Sequence, residues 1–199
     1  MNDIYPIDIW HVIFRHCDLL SQLTLITSCS DFYRSFFITD LCNIPNIYQN
    51  KLTDLVLQQR KFSRLVKLDI RHNKNINDIS FLTTLKKLYV NHLCGIDQQG
   101  IYRLDLIELY ADSNEKIKDV SFMTSLKKLY AGVFCGINQQ GIQGLNLIEL
   151  YAANNEKIND VFASPKGLAQ SPVGSHLCQA SKYYMQAVFV ELINKVLED

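Results

Sequence analysis

The sequence repeats itself at a fixed offset, and that constrains the fold more than any other feature. Residues 85–106 read LKKLYVNHLCGIDQQGIYRLDL and residues 126–147 read LKKLYAGVFCGINQQGIQGLNL, 41 positions apart. The offset carries Leu88 to Leu129, Cys94 to Cys135, Gly95 to Gly136 and Gly100 to Gly141. The intervening stretches follow it too: LVKLDIRHNKNINDISF (65–81), LIELYADSNEKIKDVSF (106–122) and LIELYAANNEKINDV (147–161). Each unit divides into two that share Leu-x-x-Leu, starting at Leu65, Leu85, Leu106, Leu126 and Leu147 with steps of 20 and 21.

Alternation at Leu68 and Ile70, Leu88 and Val90, and Leu109 and Ala111 turns one strand face inward. Each unit should add one parallel strand, roughly 4.8 Å from the last. The chain then turns sharply, and Asn73, Asn114 and Asn155 recur where a side-chain amide can satisfy the turning backbone. Cys94 and Cys135 take that corner in the other unit type, two rungs or about 10 Å apart, too far for a disulfide. Units this short leave room only for helical or 3₁₀ turns on the outer side, expected around Asp97–Tyr102 and Asn138–Gln143. The pattern of Leu-x-x-Leu-x-(Ile/Val/Ala), then Asn or Cys, then Ile, over residues 65–161, resembles the leucine-rich repeat.

The strand residues that do not point inward are expected to form a concave face. Its fifth positions read Asp69, Tyr89, Tyr110, Tyr130 and Tyr151, and its seventh positions include Asn91 and Asp112. Tyrosine supplies large contact area at low entropic cost, so Tyr89, Tyr110, Tyr130, Tyr151, Asn91 and Asp112 are the candidate contacts for a protein partner. Packing of neighbouring rings as a cross-strand ladder accounts for the tyrosines equally well. The third positions, Lys67, Lys87, Glu108, Lys128 and Glu149, alternate in sign from Lys87 onward, as strands that pair charges across the sheet would.

Little else carries chemistry. No phosphate loop, nucleophile elbow or zinc-protease motif occurs, and no base is set beside a nucleophile, so the chain reads as a non-enzyme without cofactor or metal. His72 and His92 occupy equivalent positions, but no third ligand stands beside them; two solvated loop histidines is the plainer account. Basic and acidic residues number 20 each, leaving no field to favour nucleic acid or an anionic membrane. No apolar run is long enough to span a bilayer, and Met1-Asn2-Asp3-Ile4 lacks a secretory signal's basic flank. The six cysteines match no disulfide framework. A reducing, cytoplasmic setting is the expectation.

Residues 1–40 differ in character. Pro6 stands where a helix could begin, and Ile9, Val12, Ile13 and Phe14 give residues 5–16 an apolar helical face. Asp18 can cap a second helix over 19–29, and Ser30 or Asp31 a third over 32–38. Three such helices cannot bury this much apolar surface alone. Pro6, Asp8, Ile13-Phe14, Leu23, Leu25, Cys29 and Phe32 follow an outline that resembles the F-box. Tyr5, Cys17 and Ser28 depart from it, standing where Leu, Leu and Val are usual, and the loop after Asp18 lacks the usual Pro. An apolar helical cap on the first strand is the competing account. The resemblance implies a subunit of a Skp–cullin–F-box ubiquitin ligase, docking a Skp-type adaptor and, through it, a cullin. Pro6, Ile9, Ile13, Leu19, Leu20, Leu23 and Leu25 would be the adaptor contacts. The repeats would then hold an unidentified protein substrate, and the chain would act through proximity. The whole resembles F-box/repeat proteins of giant viruses of amoebae, whose adaptor would be the host's.

The sequence-level architecture is therefore α+β: a helical module (1–40), a linker or N-terminal cap (41–64), repeats (65–161) and an atypical tail (162–199). Leu52-x-x-Leu55-x-Leu57 could be a degenerate first strand or a helix. The tail loses the repeat register, turns at Pro165, Gly167, Pro172 and Gly174, then becomes helix-like over 177–198. It is either a cap or a junction with unrelated coding sequence.

Overall fold

The computed structural model describes residues 7–42, 44, 49–91 and 93–159. Pro6, His92 and the tail expected at 162–199 lie outside them. The chain divides into two compact units, and among the described residues the division falls between Ile38 and Thr39.

The described part of the first unit is helical. α1 spans Ile7–His16, α2 Leu19–Ser28 and α3 Ser30–Ser35. The Asp18 carboxylate accepts the Ser21 N–H at 2.9 Å, the cap that its position predicted. α3 begins two residues earlier than expected and stops sooner. Its N-cap is Cys29, in extended backbone, and Ser30 and Asp31 lie in its first turn rather than ahead of it. Asp31 still favours that end electrostatically. Aromatic packing organises the unit: Phe36 lies against Phe14 (4.6 Å between ring centres), His11 (4.7 Å) and Phe32 (5.2 Å), and Trp10 against Phe32 (5.1 Å). Leu23 and Ile26 of α2 are buried, as are Phe14 and Phe36.

The second unit is a parallel solenoid. Six strands hydrogen-bond in chain order: β1 (Asp40–Leu41), β2 (Lys67–Asp69), β3 (Lys87–Tyr89), β4 (Glu108–Tyr110), β5 (Lys128–Tyr130) and β6 (Glu149–Tyr151). Each Leu-x-x-Leu places its second Leu mid-strand, so Leu68, Leu88, Leu109 and Leu129 fall in register and fully buried. β1 lacks the repeat pattern and was not expected. The backbone makes it: Thr39 O accepts both Val66 N (2.8 Å) and Lys67 N (3.0 Å). The boundary read at residue 40 therefore cuts through a strand. Residues 51–60 are not a strand; they contain a short helix, α4 (Asp54–Leu57), capped by the Thr53 hydroxyl.

The corners explain the period. Asn73, Asn114 and Asn155 are buried; the amide oxygens of Asn73 and Asn114 each accept two backbone N–H groups just ahead, and that of Asn155 accepts one, from Lys157. Each amide nitrogen reaches back to carbonyls of an earlier coil, such as Ala131 O (2.8 Å) and Ile137 O (3.0 Å) for Asn155. One residue earlier in each coil, His72, Ser113 and Asn154 adopt left-handed backbone, with φ of 71, 60 and 56°. Cys94 and Cys135 are buried at the alternate corner; burial raises both thiols, Cys135 to about 11. On the outer side 3₁₀ turns sit at Gln99–Ile101 and Gln140–Ile142, inside the two stretches expected to turn.

Candidate interaction surfaces

Third and fifth positions of the strands face away from the leucine core. There Tyr89, Tyr110, Tyr130 and Tyr151 form one continuous stack. Ring centres are 4.2, 4.4 and 5.8 Å apart and the planes are within 17, 15 and 29° of parallel. The rings pack their faces on each other and leave only a minor part of their area to solvent. Ladder packing is thus present, with part of each ring left accessible.

Charges brace the stack. Lys87 pairs with Glu108 (2.7 Å) and Lys128 with Glu149 (3.3 Å), each across one strand spacing. Lys67, opposite another lysine in register, pairs instead with Asp40 on β1 at 2.9 Å. Exposed pairs of this sort contribute about 0–1 kcal/mol each, so they set register more than stability. Lys87 also lies over the Tyr89 and Tyr110 rings, 5.3 and 5.1 Å from their centres. The Tyr110 hydroxyl donates to Glu108 (3.1 Å) and the Tyr130 hydroxyl to Glu149.

Asp69 occupies the fifth position of β2, where the other four strands have tyrosine, and it is buried. The Arg71 guanidinium clamps it with bonds of 3.0, 3.2 and 2.6 Å and lies 5.2 Å from the centre of the Tyr89 ring. One end of the stack is therefore closed by a cation. Arg71 was not among the candidate contacts. Its place in the seventh-position series with Asn91 and Asp112 was the available signal. Those two are committed to backbone: Asn91 Oδ1 accepts from His72 N (3.3 Å) and Leu93 N (3.1 Å), and Asp112 Oδ1 from Gly132 N (2.7 Å). Burial raises the Asp112 carboxyl above its usual range, against the Gly132 N–H, which lowers it.

Two phenols of this surface, those of Tyr110 and Tyr130, resist ionisation. Burial and then the Glu108 charge push Tyr110 up to about 12. Its hydrogen bond to Glu149, then burial, raises Tyr130 as well. A folded value above the unfolded one, about 10, stabilises below pH 10, and the contribution is lost as pH rises through the folded value. Phenolate absorbance should therefore appear in the native chain partly above pH 11, and in denatured chain near 10. Glu108→Gln should bring the Tyr110 step down; an unchanged titration would show that Glu108 does not govern it.

In the helical unit, two apolar faces share α1. Trp10 and Phe14 pack inward, while Ile9, Val12 and Ile13 are 44, 58 and 42% exposed. Leu19, Leu20 and Leu25 are half-buried, and Leu23 is buried. Of the expected adaptor contacts among the described residues, Ile9 and Ile13 are thus exposed and Leu23 alone is inside. Among the described residues, no three His, Cys, Asp or Glu converge as for a metal, and no helix is long and apolar enough to cross a membrane. No family model, curated protein or solved structure matches the chain.

Proposed function

We propose that the chain is the substrate-recognition subunit of a Skp–cullin–F-box type ubiquitin ligase. On this reading the helical unit is an F-box and the solenoid a leucine-rich-repeat array that holds a protein substrate on its tyrosine surface. The chain is then a scaffold, and chemistry belongs to other subunits. The observation that carries the proposal is the solvent-facing apolar stripe of Ile9, Val12 and Ile13 on α1, opposite the packed Trp10 and Phe14. A helix that served only as a cap would turn its apolar residues to what it covers, and these three face water.

Covering the exposed parts of these three side chains is worth about 3 kcal/mol. That is below the usual cost of association, so Leu19, Leu20 and Leu25 must join the contact. Full-length chain should capture a purified Skp-type adaptor. Ile13→Asp, an exposed change expected to leave the fold intact, should reduce capture by about a hundredfold or more. Tyr110→Ala should leave it unchanged. Failure of the wild-type chain to bind, or undiminished binding by Ile13→Asp with native circular dichroism, would overturn the assignment.

A further inference from the structure

The solenoid uses two strand sequences in alternation. β3 and β5 read Lys-Leu-Tyr, and β4 and β6 read Glu-Leu-Tyr. β4 has a Lys-Leu-Tyr strand along each edge, whereas β6 has one along its inner edge only, among the described residues.

Among the described residues, the backbone series end at the same edge. At each junction one carbonyl accepts two consecutive N–H groups of the next rung. Val66 O takes Lys86 N (2.8 Å) and Lys87 N (3.0 Å); Lys86 O takes Ile107 N (2.8 Å) and Glu108 N (2.9 Å). Ile107 O takes Lys127 N (2.9 Å) and Lys128 N (3.1 Å), and Lys127 O takes Ile148 N (2.8 Å) and Glu149 N (3.0 Å). Ile148 O is the next acceptor in that series, and Ile148 is 61% exposed. A second series closes each rung higher up. Val90 N donates to Tyr110 O (2.9 Å), Ala111 N to Tyr130 O (2.8 Å) and Ala131 N to Tyr151 O (2.8 Å), so Ala152 N is the next donor.

We infer that the outer edge of β6 docks a parallel strand from a partner protein, patterned cation–aliphatic–aromatic. This deepens the reading of the solenoid as the partner-binding unit and rests on it, though not on adaptor capture by the helices. Strand addition supplies main-chain bonds, and side chains supply the choice of partner. The cation would stand to Glu149 as Lys128 of β5 stands to Glu108 of β4, in register on the outer side where its charge favours the carboxylate; the aliphatic would follow Leu150, and the aromatic would extend the stack on Tyr151. Charge also argues against a second copy of this chain: its edge strand β1 would set Asp40 against Glu149.

The test uses full-length chain and a fluorescent peptide SLKKLYAGV, the sequence of residues 125–133. Saturable anisotropy is expected, about tenfold weaker for SLKELYAGV, which places a glutamate against Glu149. Glu149→Lys should reverse that preference, and the bound peptide should slow hydrogen exchange at the Ala152 amide. No saturable binding, equal binding of both peptides, no reversal in Glu149→Lys, or slowed exchange confined to other residues would each overturn the inference. Adaptor capture is a separate readout, so the two proposals can fail independently.

Discussion

Asn114→Ala is expected to destabilise the solenoid by about 3 kcal/mol or more. Asn114 is 1% exposed, and its Oδ1 accepts Lys116 N (2.9 Å) and Ile117 N (3.1 Å). Alanine leaves both N–H groups facing a buried corner, at about 1–3 kcal/mol for each unmet group. The bonds from Nδ2 to Asn91 O and Ile96 O are long, 3.5 Å each, and their loss matters less. Asn114→Asp separates the two halves. It keeps the acceptor but turns a carboxylate toward those carbonyls, so rescue should fail despite the matched shape. Urea unfolding followed by far-ultraviolet circular dichroism checks both. A solenoid couples mainly to neighbouring rungs, so the Ala variant should also broaden the transition. Wild-type stability in Asn114→Ala would mean that water serves the corner as well as the amide does.

Such corners were legible because their chemistry recurs. A side chain that must bond the turning backbone reappears at Asn73, Asn114 and Asn155, and the inward leucines placed β2 to β6. β1 escaped notice because its place depends on Thr39 O and not on any side-chain pattern. α3 was misplaced because Ser30 and Asp31 are both good caps, while the residue that breaks the helix, Cys29, has no capping preference. Periodicity located an apolar face on α1, but that helix is apolar on two sides. Which side packs is decided by the ring stacking of Trp10 and Phe14 on residues of α3 and beyond, a tertiary choice that composition cannot specify. The tyrosine stack could be drawn from the repeat alone, and the seventh-position series marked Arg71, but the burial of Asp69 and its clamp by Arg71 could not be read from it. A carboxylate at an outward position gives no sign of being drawn in by a cation two residues on.

Gly141→Ala should cost about 3 kcal/mol, and for a reason unlike that of a turn glycine. Its φ is not in the left-handed region; the limit is space. A Cβ there would fall on the Lys118 carbonyl, with Asp119 Cα and Lys118 C both at 3.1 Å. These are backbone atoms of the preceding coil, which no rotamer change can move aside. The Gly141 carbonyl meanwhile accepts Val120 N at 2.9 Å, so the two coils cannot part without breaking that bond. Gly144 supplies the comparison within the same loop. It has φ +80° and nothing within 4 Å of its would-be Cβ, so alanine there meets only the left-handed penalty of about 1 kcal/mol. Thermal melts of the two variants should therefore rank Gly141→Ala well below Gly144→Ala. Because Gly100 is the same position one repeat earlier, with Asn77 O in the place of Lys118 O, Gly100→Ala should match Gly141→Ala. If Gly144→Ala proved the more damaging, coil spacing would not be what these glycines provide, and backbone conformation would be the constraint that the repeat preserves.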